Sequence, residues 1–308
     1  MKNLSLLCLL AFLVAATGCT HLKDPLEDID PPNIKDTLAV EPDLGLDDPH
    51  IANLVESCTT PESAEMEDIT IADVLPEIID LSSDMPPVKS QGNIGSCASF
   101  ATAYYMKSYQ EKIQYGYEYN ITNVMSPAYL YNQVKVSEDC MSGSCFEANL
   151  SKLKNEGTDS WKTFPYDSKS CSKQPTSQQK ELAAPNKIAS FYRLDGSDAD
   201  LIAKIKTLIS QKTPVLYGAK LDKAFADGNK NEDSLFVWRN YDSAQHYGNH
   251  GMVIVGYNDK INAFKIVNSW GTSWANKGYG YIDYSFFMKD NENETATLLG
   301  LFYSKDLN

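Results

Sequence analysis

Runs of β-branched and aromatic residues are concentrated after residue 214, and this distribution constrains the fold more than any other feature of the sequence. Such runs, separated by glycine, asparagine and aspartate, are typical of β-strands. Between residues 97 and 210, apolar residues instead recur every three or four positions, which is typical of helices. Helices followed by strands predict an α+β protein with two segregated layers or lobes. The predicted strands are VLYGAK (215–220), GMVIVGYND (251–259), AFKIVNSW (263–270) and YGYIDYSFF (279–287).

Three helices are predicted before these strands. The first opens after Ser96, since serine is a favoured cap, and the second covers residues 147–156 and ends at Gly157. The third opens at Ser197 and Asp200. The predicted buried face of the first helix contains Cys97, Ala101, Tyr105, Tyr109 and Ile113, and that of the third contains Leu201, Ile202, Ile205, Leu208 and Ile209.

The composition excludes some classes of partner. The chain has 308 residues, of which 43% are hydrophobic and 22% charged, enough for one large domain or two lobes. The formal net charge is −14, whereas a nucleic-acid-binding protein carries a basic patch or stripe, so we expect no nucleic-acid partner. The acidic excess also gives little attraction to anionic membrane surfaces, and we interpret it as a contribution to solubility.

The N-terminal segment MKNLSLLCLLAFLVAATGC has a lysine near its start, an apolar run and small residues before Cys19. The run is too short for an ordinary transmembrane helix. The segment resembles a bacterial lipoprotein signal, with Ala16 where leucine is usual. The resemblance implies that residues 1–18 are removed and that lipidated Cys19 anchors an extracytoplasmic protein to a bacterial membrane, which we expect to be the outer one. A plain secretory signal, with Cys19 incidental, is the alternative.

The next segment, residues 19–80, is rich in aspartate, glutamate and proline and poor in aromatic residues. This composition is typical of a solvated, partly disordered tether. A short inhibitory pro-segment is the alternative, and the sequence leaves both open. The globular domain is predicted to cover residues 81–308.

Five cysteines follow the signal and its lipidation site. Because five is an odd number, at least one is expected to remain a free thiol in an oxidising compartment. Three lie close in sequence and are able to supply one bridge, but the pairing cannot be read from the sequence. No CxxC pair or histidine cluster has metal-ligand spacing, so we expect no metal and no cofactor. The five are Cys58, Cys97, Cys140, Cys145 and Cys171.

A thiol nucleophile needs a base, a group that orients the base and donors for an oxyanion, and the sequence offers a candidate for each of these parts. Cys97 opens a helix, where the helix dipole favours a thiolate, and Gln91 precedes it in a glycine-containing loop. His250 heads one predicted strand and Asn268 ends its neighbour, so hairpin pairing brings the two side by side. Each residue alone has a structural explanation, since free cysteines and lone histidines are more often structural than catalytic. The ordered combination is far more specific.

Three stretches resemble the papain family of cysteine peptidases: PPVKSQGNIGSCASF, NHGMVIVGYND and IVNSWGTSWANKGYGYI. The resemblance covers about residues 81–305. It implies a papain-like two-lobe fold, with a helical N-terminal lobe, an antiparallel β-barrel-like C-terminal lobe and the active-site cleft between them.

By the same resemblance, Cys97 is the nucleophile and His250 its acid–base partner, oriented by Asn268. Gln91 and the backbone N–H of Cys97 form the oxyanion hole, and Trp270 shields the His250–Asn268 hydrogen bond from water.

The sequence departs from the family pattern beside the nucleophile and in the substrate cleft. Ile94 replaces a family cysteine, and Ala98 replaces an aromatic residue, which is expected to open space behind Cys97. The MSGSC stretch corresponds loosely to a double glycine at the cleft edge. The predicted cleft residues are Gly143, Ser144 and Asn249, and the long loop 221–249 is expected to shape the substrate site.

These observations predict a monomeric cysteine endopeptidase that hydrolyses protein or peptide substrates through a thioester on Cys97. Two alternatives remain. One is a surface-anchored binding module that keeps the fold but cleaves little, motivated by Ala98 and Ser144. The other is acyl transfer to an amine by the same thiol.

Overall fold

The computed structural model describes residues 52–58, 60, 62–228, 235–288 and 297–307. The predicted signal peptide and Cys19 lie outside these described residues. Most helices precede most strands in the chain, and the predicted α+β class is confirmed. None of the helices within the described ranges is long and apolar enough to cross a membrane.

The first helix, α1, has three consecutive parts. It is α-helical over Cys97–Ser99, π-helical over Phe100–Lys107 and α-helical again over Ser108–Tyr115. The later helices are α2 (Pro127–Val134), α3 (Phe146–Asn155), α4 (Ser177–Ala183), α5 (Leu201–Ser210) and α6 (Lys223–Asp227). Short 3₁₀ turns cover Ser82–Asp84, Ser243–Gln245, Asp259–Ile261 and Tyr284–Phe287.

Among the described residues, eight strands form one sheet in the order β2-β8-β3-β5-β6-β7-β4, with β1 paired to β5 outside this path. Every pair is antiparallel except β4 with β7. The sheet is not closed into the expected barrel-like lobe, because its end strands β2 and β4 do not pair with each other. The strands are β1 (Ile78–Asp80), β2 (Ile188–Arg193), β3 (Val215–Asp222), β4 (Val237–Trp238), β5 (His246–Asn258), β6 (Ala263–Val267), β7 (Tyr279–Asp283) and β8 (Leu298–Asp306).

The four predicted strands correspond to β3, β5, β6 and β7, and the predicted hairpin joins β5 to β6. Its turn ends at Asn262, which has a φ of 51°, a conformation that asparagine tolerates better than most residues. The other four strands, β1, β2, β4 and β8, are not predicted from the sequence. β1 and β4 are very short, and β2 pairs with β8 across a long intervening chain, so no turn signal links those two.

Helix α1 is buried along most of the predicted face, since Cys97, Ala101, Tyr105 and Tyr109 are at most 1% exposed. The periodicity predicts Ile113 on the same face, but its side chain is 41% exposed. The π-helical part has more residues per turn than an α-helix, so positions beyond it rotate away from a four-residue repeat. That rotation accounts for the error at Ile113.

Two predicted helix caps are absent. Ser96 precedes α1 but makes no capping bond, and its hydroxyl instead contacts Tyr166 Oη at 2.7 Å. Asp200 precedes α5 without a side-chain cap, and the Ser197 hydroxyl bonds to Asp195 rather than to the helix. Helix α3 begins at the predicted place, and Gly157 follows its end with a φ of 82°.

Gly157→Ala is expected to destabilise the domain more than its matched control, Gly116→Ala. Both glycines follow a helix and have positive φ, 82° and 69°. A Cβ at residue 157 would lie 2.0 Å from the Ala183 carbonyl oxygen, whereas a Cβ at residue 116 would meet nothing within 4 Å. In urea denaturation we expect Gly157→Ala to lower the unfolding free energy by about 3 kcal/mol, against about 1 kcal/mol for the control. Equal losses would contradict this packing.

Candidate active site

Cys97, the first residue of α1, has a fully buried side chain. Its sulfur accepts backbone N–H groups of Gly251 on β5, of Ala98 and of Asn53. The Cα of Ala98 lies 3.4 Å from where a Cβ of Gly251 would stand, so α1 and β5 are in direct contact here. The structure therefore places the predicted nucleophile against the residue that follows His250.

His250 and Asn268 are both fully buried, and His250 Nε2 lies 2.8 Å from Asn268 Oδ1. The same oxygen accepts the backbone N–H of Ser269 at 2.7 Å. A backbone N–H can only donate, so this contact assigns the oxygen, rather than the amide nitrogen, to that side of Asn268. His250 Nε2 therefore donates, and in the neutral ring Nδ1 is the acceptor nitrogen.

The hairpin brings this pair together as predicted. Val253 of β5 lies opposite Val267 of β6. His250, three residues before Val253, therefore lies diagonally across from Asn268, one residue after Val267, within hydrogen-bond reach. The Asn268 carbonyl accepts Tyr105 Oη of α1 at 2.8 Å, which ties the end of β6 to the helix that begins at Cys97. The helix and the two strands thus hold the three predicted residues in one place.

Trp270 covers the imidazole. Its ring centroid lies 4.4 Å from that of His250, at an interplanar angle of 33°. Trp270 is only 4% exposed, and further aromatic rings pack behind it, with Phe225 at 5.9 Å and Trp274 at 6.0 Å between centroids. Phe225 belongs to the predicted long loop, so the described part of that loop supports the indole.

Gln91 is fully buried and is held by hydrogen bonds on several sides. Its backbone N–H donates to the Ser269 carbonyl at 2.8 Å, and Ser269 Oγ donates to its Oε1 at 2.6 Å. Its Nε2 donates to the Ile94 carbonyl at 2.8 Å, in the loop that leads into Cys97. A side-chain amide has two N–H donors. The arrangement keeps Gln91 Nε2 at the entrance of α1, where the sequence predicts it.

A peptide segment of this chain lies in the predicted substrate cleft. We call it the occluding segment and define it as residues 52–55. The Leu54 N–H donates to the Asn249 carbonyl at 2.7 Å, and the Val55 N–H donates to the Ser144 carbonyl at 3.1 Å. Both contacts are parallel β-bridges, Asn53 with Asn249 and Leu54 with Ser144.

The third predicted cleft residue, Gly143, lies under the same segment. A Cβ there would stand 1.8 Å from the Asn53 carbonyl oxygen, and its φ of 79° favours glycine. The structure thus brings Gly143, Ser144 and Asn249 around one extended backbone. The Asn53 side chain also donates to the Met141 carbonyl at 2.5 Å.

Burial raises the pKa of the Cys97 thiol to about 11, and the N–H donors from Gly251, Ala98 and Asn53 only partly offset that rise. The expected effect of the helix N-terminus is therefore outweighed in this state. Because Asn53 touches the sulfur, the occluding segment takes part in burying it.

The structure pairs Cys58 with Cys145 and Cys140 with Cys171, and it leaves Cys97 as the free cysteine among the described residues. Ile94 stands where the family has a cysteine, and it packs with Tyr131, Cys140 and Cys171 in a small apolar cluster.

Ala98 is fully buried, so the space expected behind Cys97 is not open to solvent. The ring of Phe146 packs nearby, since Phe146 and Ala98 approach within 2.9 and 3.4 Å of where a Gly251 Cβ would be.

Sequence reasoning missed Asn53, Leu54 and Ser269. The signal for the first two is weak, a short apolar run, ANLV, inside an acidic stretch. Ser269 directly follows a predicted site residue, but its bond to Gln91 depends on a contact that only folding creates. Among the described residues, no group of three or more His, Cys, Asp or Glu side chains is arranged to hold a metal ion.

A sequence model described as papain family cysteine protease matches residues 75–296, most of the chain. The chain therefore belongs to the papain family of cysteine proteases, as its motifs indicated. Its structure also resembles xylellain, a cysteine protease from Xylella fastidiosa, with a TM-score of 0.68 and 22% identity over 83% of this chain and 96% of that one. It also resembles digestive procathepsin L 3 of Tenebrio molitor, with a TM-score of 0.59 and 18% identity over 83% of this chain and 76% of that one. These likenesses confirm the papain-like fold.

Curated relatives are distant. The gamete and mating-type specific protein A of Dictyostelium discoideum is 30% identical over 207 residues, 65% of this chain. Cathepsin J of Mus musculus is 27% identical over 218 residues, 67% of this chain. The chain spans 41% of the length of the first protein and 58% of the second.

The raised pKa predicts how Cys97 reacts while both disulfides are intact. The thiolate is the reactive form, so the rate of alkylation by iodoacetamide should rise about tenfold per pH unit from about pH 6 to about pH 9.5. No plateau is expected, because this range lies below the pKa of about 11. Mass spectrometry of the Cys97 peptide measures the rate, with free cysteine as the control that levels off above its own pKa. A plateau below about pH 8 would contradict the prediction.

Proposed function

We propose that the protein is an extracytoplasmic cysteine endopeptidase that hydrolyses peptide bonds through a thioester on Cys97. One observation carries the proposal: His250 donates to Asn268 while the adjacent Gly251 touches the Cys97 sulfur. A nucleophile, a base and a group that orients the base are thereby within one buried site, which is the arrangement that thiol acylation requires.

In the proposed first step, an extended peptide replaces the occluding segment in the cleft. The Cys97 thiol transfers its proton to His250 Nδ1, and the sulfur attacks the carbonyl carbon of the scissile bond. The imidazolium is stabilised because Asn268 Oδ1 accepts its Nε2–H. His250 then gives the proton to the leaving amine, which departs as the C–N bond breaks.

The negative oxygen formed in this step needs donors that are already in position. Gln91 Nε2 and the Cys97 backbone N–H at the start of α1 are the groups we assign to it. Hydrogen bonds to Ile94, Ser269 and Tyr166 hold the Gln91 side chain and backbone, so little reorganisation would accompany the reaction. Preorganised donors of this kind are usually the largest single contribution to rate.

In the second step, water attacks the thioester carbonyl. His250 accepts a proton from the water, the C–S bond breaks, and the sulfur recovers a proton as the acid product leaves. Trp270 stacks on the imidazole and keeps bulk water from the His250–Asn268 bond. A hydrogen bond in such a low-dielectric site is stronger than one in water.

The extracytoplasmic location rests on the N-terminal sequence, in which residues 1–18 are a signal and Cys19 is the lipidated anchor. Two disulfides within the described residues support an oxidising compartment. Protein or peptide substrates would meet the enzyme at the membrane surface, where it acts as a monomer.

Cys97→Ala tests the nucleophile. In reducing buffer, the purified chain should cleave unstructured protein and yield new peptide termini, detectable by mass spectrometry. We expect Cys97→Ala to lower kcat by at least about 1,000-fold, since no other group replaces the sulfur. Equal turnover by the two proteins would refute the proposed function, whereas products joined to added amines would favour acyl transfer.

Gln91→Glu tests the oxyanion donor while conserving side-chain size. We expect kcat to fall about 100- to 1,000-fold with little change in KM. Gln110→Glu is the matched control, because Gln110 Nε2 also donates to a backbone carbonyl, that of Ser304. The thermal midpoints of both variants should fall, but only Gln91→Glu should lose kcat. A similar loss of kcat in both variants would assign Gln91 a structural role alone.

A further inference from the structure

The occluding segment binds the cleft without presenting a bond for cleavage. Its Asn53 N–H points to the Cys97 sulfur, while the Asn53 carbonyl oxygen lies beside Gly143. A nucleophile needs a carbonyl carbon in front of it, not an amide donor. The segment therefore occupies the site in an orientation that the sulfur cannot attack.

Leu54 anchors the segment through its side chain. It is 5% exposed, and its Cδ2 lies 2.7 Å from where a Cβ of Gly218 would be. Phe146 and Leu299 line the same spot. Because residue 218 is glycine, β3 leaves room for a branched apolar side chain at this point of the cleft.

The end of the segment is linked covalently to the wall of the cleft. Cys58 lies three residues after Val55 and is disulfide-bonded to Cys145, which directly follows Ser144. The cross-link thus joins the chain that leaves the occluding segment to the backbone beside Ser144 at the edge of the cleft. A cut anywhere before residue 52 would leave the segment in place.

Beyond Cys58 the chain is fixed to the outside of the domain. Glu62 pairs with Lys154, the Arg193 N–H donates to the Glu65 carbonyl at 2.8 Å, and Glu67 bonds to Tyr303 at 2.6 Å. A released segment would therefore remain tethered nearby and be able to return. Opening would be reversible rather than a single proteolytic event.

We propose that the Cys58–Cys145 disulfide is a redox latch, which holds the occluding segment over Cys97 and opens the site when a dithiol reduces it. This inference rests on the proposed function, because opening the latch would control peptide hydrolysis only if the protein is a peptidase. In the closed state, residues 52–55 of this chain occupy the cleft. A dithiol reductant opens the latch by reducing the disulfide.

The two sulfurs of the latch are suited to different roles in thiol–disulfide exchange. Cys58 is half-buried and lines a groove of about 510 Å³, so it is the sulfur that a reductant reaches. Cys145 is buried at the N-terminus of the ten-residue helix α3, and its sulfur accepts the Ala148 N–H at 3.3 Å. That position stabilises a thiolate, which makes Cys145 the better leaving group.

A dithiol reduces the latch in two thiol–disulfide exchange steps. One thiolate of the dithiol attacks the Cys58 sulfur, the S–S bond breaks, and Cys145 leaves as a thiolate. The second thiol of the reductant then displaces Cys58 from the mixed disulfide. The reductant ends as a disulfide, having lost two electrons and two protons, and Cys58 and Cys145 end as thiols.

The second disulfide provides a matched control. Cys140 and Cys171 also combine one half-buried and one buried sulfur, but neither caps a helix and neither lies within the occluding segment. Removal of the Cys140–Cys171 disulfide takes one cross-link from the domain but does not release the occluding segment. Comparison of the two pairs therefore separates release of the segment from a general loosening of the domain.

The test uses the full chain, purified without reductant, and measures alkylation of Cys97 by iodoacetamide near neutral pH. The double variant Cys58→Ser with Cys145→Ser should label Cys97 at least about tenfold faster than the parent chain. Cys140→Ser with Cys171→Ser should label at about the parent rate. Equal rates for the parent chain and the folded Cys58/Cys145 variant would overturn the proposal.

A titration of the unmodified chain with dithiothreitol covers the case in which a variant fails to fold. Quenched samples are mapped for both disulfides, for Cys97 labelling and for peptide cleavage. Labelling should appear with loss of Cys58–Cys145, whether or not Cys140–Cys171 is intact. Labelling that precedes loss of Cys58–Cys145 would overturn the latch. Labelling as expected without any cleavage would leave the latch standing and refute the proposed peptidase function.

Discussion

The pairing of β5 with β6 is the constraint on which the site depends. Their antiparallel register sets His250 beside Asn268, and β5 also pairs with β1 and β3 and contacts α1 at Gly251. A one-residue slip in that register would turn every side chain of the strand to the opposite face. The apolar residues of β5, which are buried almost without exception, make such a slip costly.

Most polar groups of the site are buried together and hydrogen-bond to one another, although the Asn268 side-chain amide nitrogen is buried without a hydrogen-bond partner among the described residues. Ser269 donates its backbone N–H to Asn268 and its hydroxyl to Gln91, so one residue links the group that orients the histidine to the assigned oxyanion donor. An unpaired polar group would be costly at this depth, while a connected network is rigid. The same network explains why a site with a buried histidine coexists with a well-packed core.

Closure of the cleft and the chemistry of the nucleophile are physically linked. The occluding segment excludes water from Cys97, and exclusion of water disfavours a charged sulfur. The segment also pairs with Ser144 and Asn249, the backbone groups that an extended substrate would use. The same few residues therefore cover both Cys97 and the predicted cleft, and the Cys58–Cys145 bridge, the proposed latch, joins this segment to the edge of the cleft.

The sequence by itself determined the α+β class, four of the strands and the hairpin, and it selected Cys97, His250, Asn268 and Gln91 as the candidate site, because these depend on local periodicity and on specific short motifs. Tertiary structure alone decided the disulfide pairing, the strands β2 and β8, and the open sheet, since each depends on residues that are distant in the chain. It also decided where residues 52–55 lie. Their acidic surroundings are typical of a solvated tether, and only the walls of the cleft, with Gly143 and Gly218 leaving space, give ANLV a binding site.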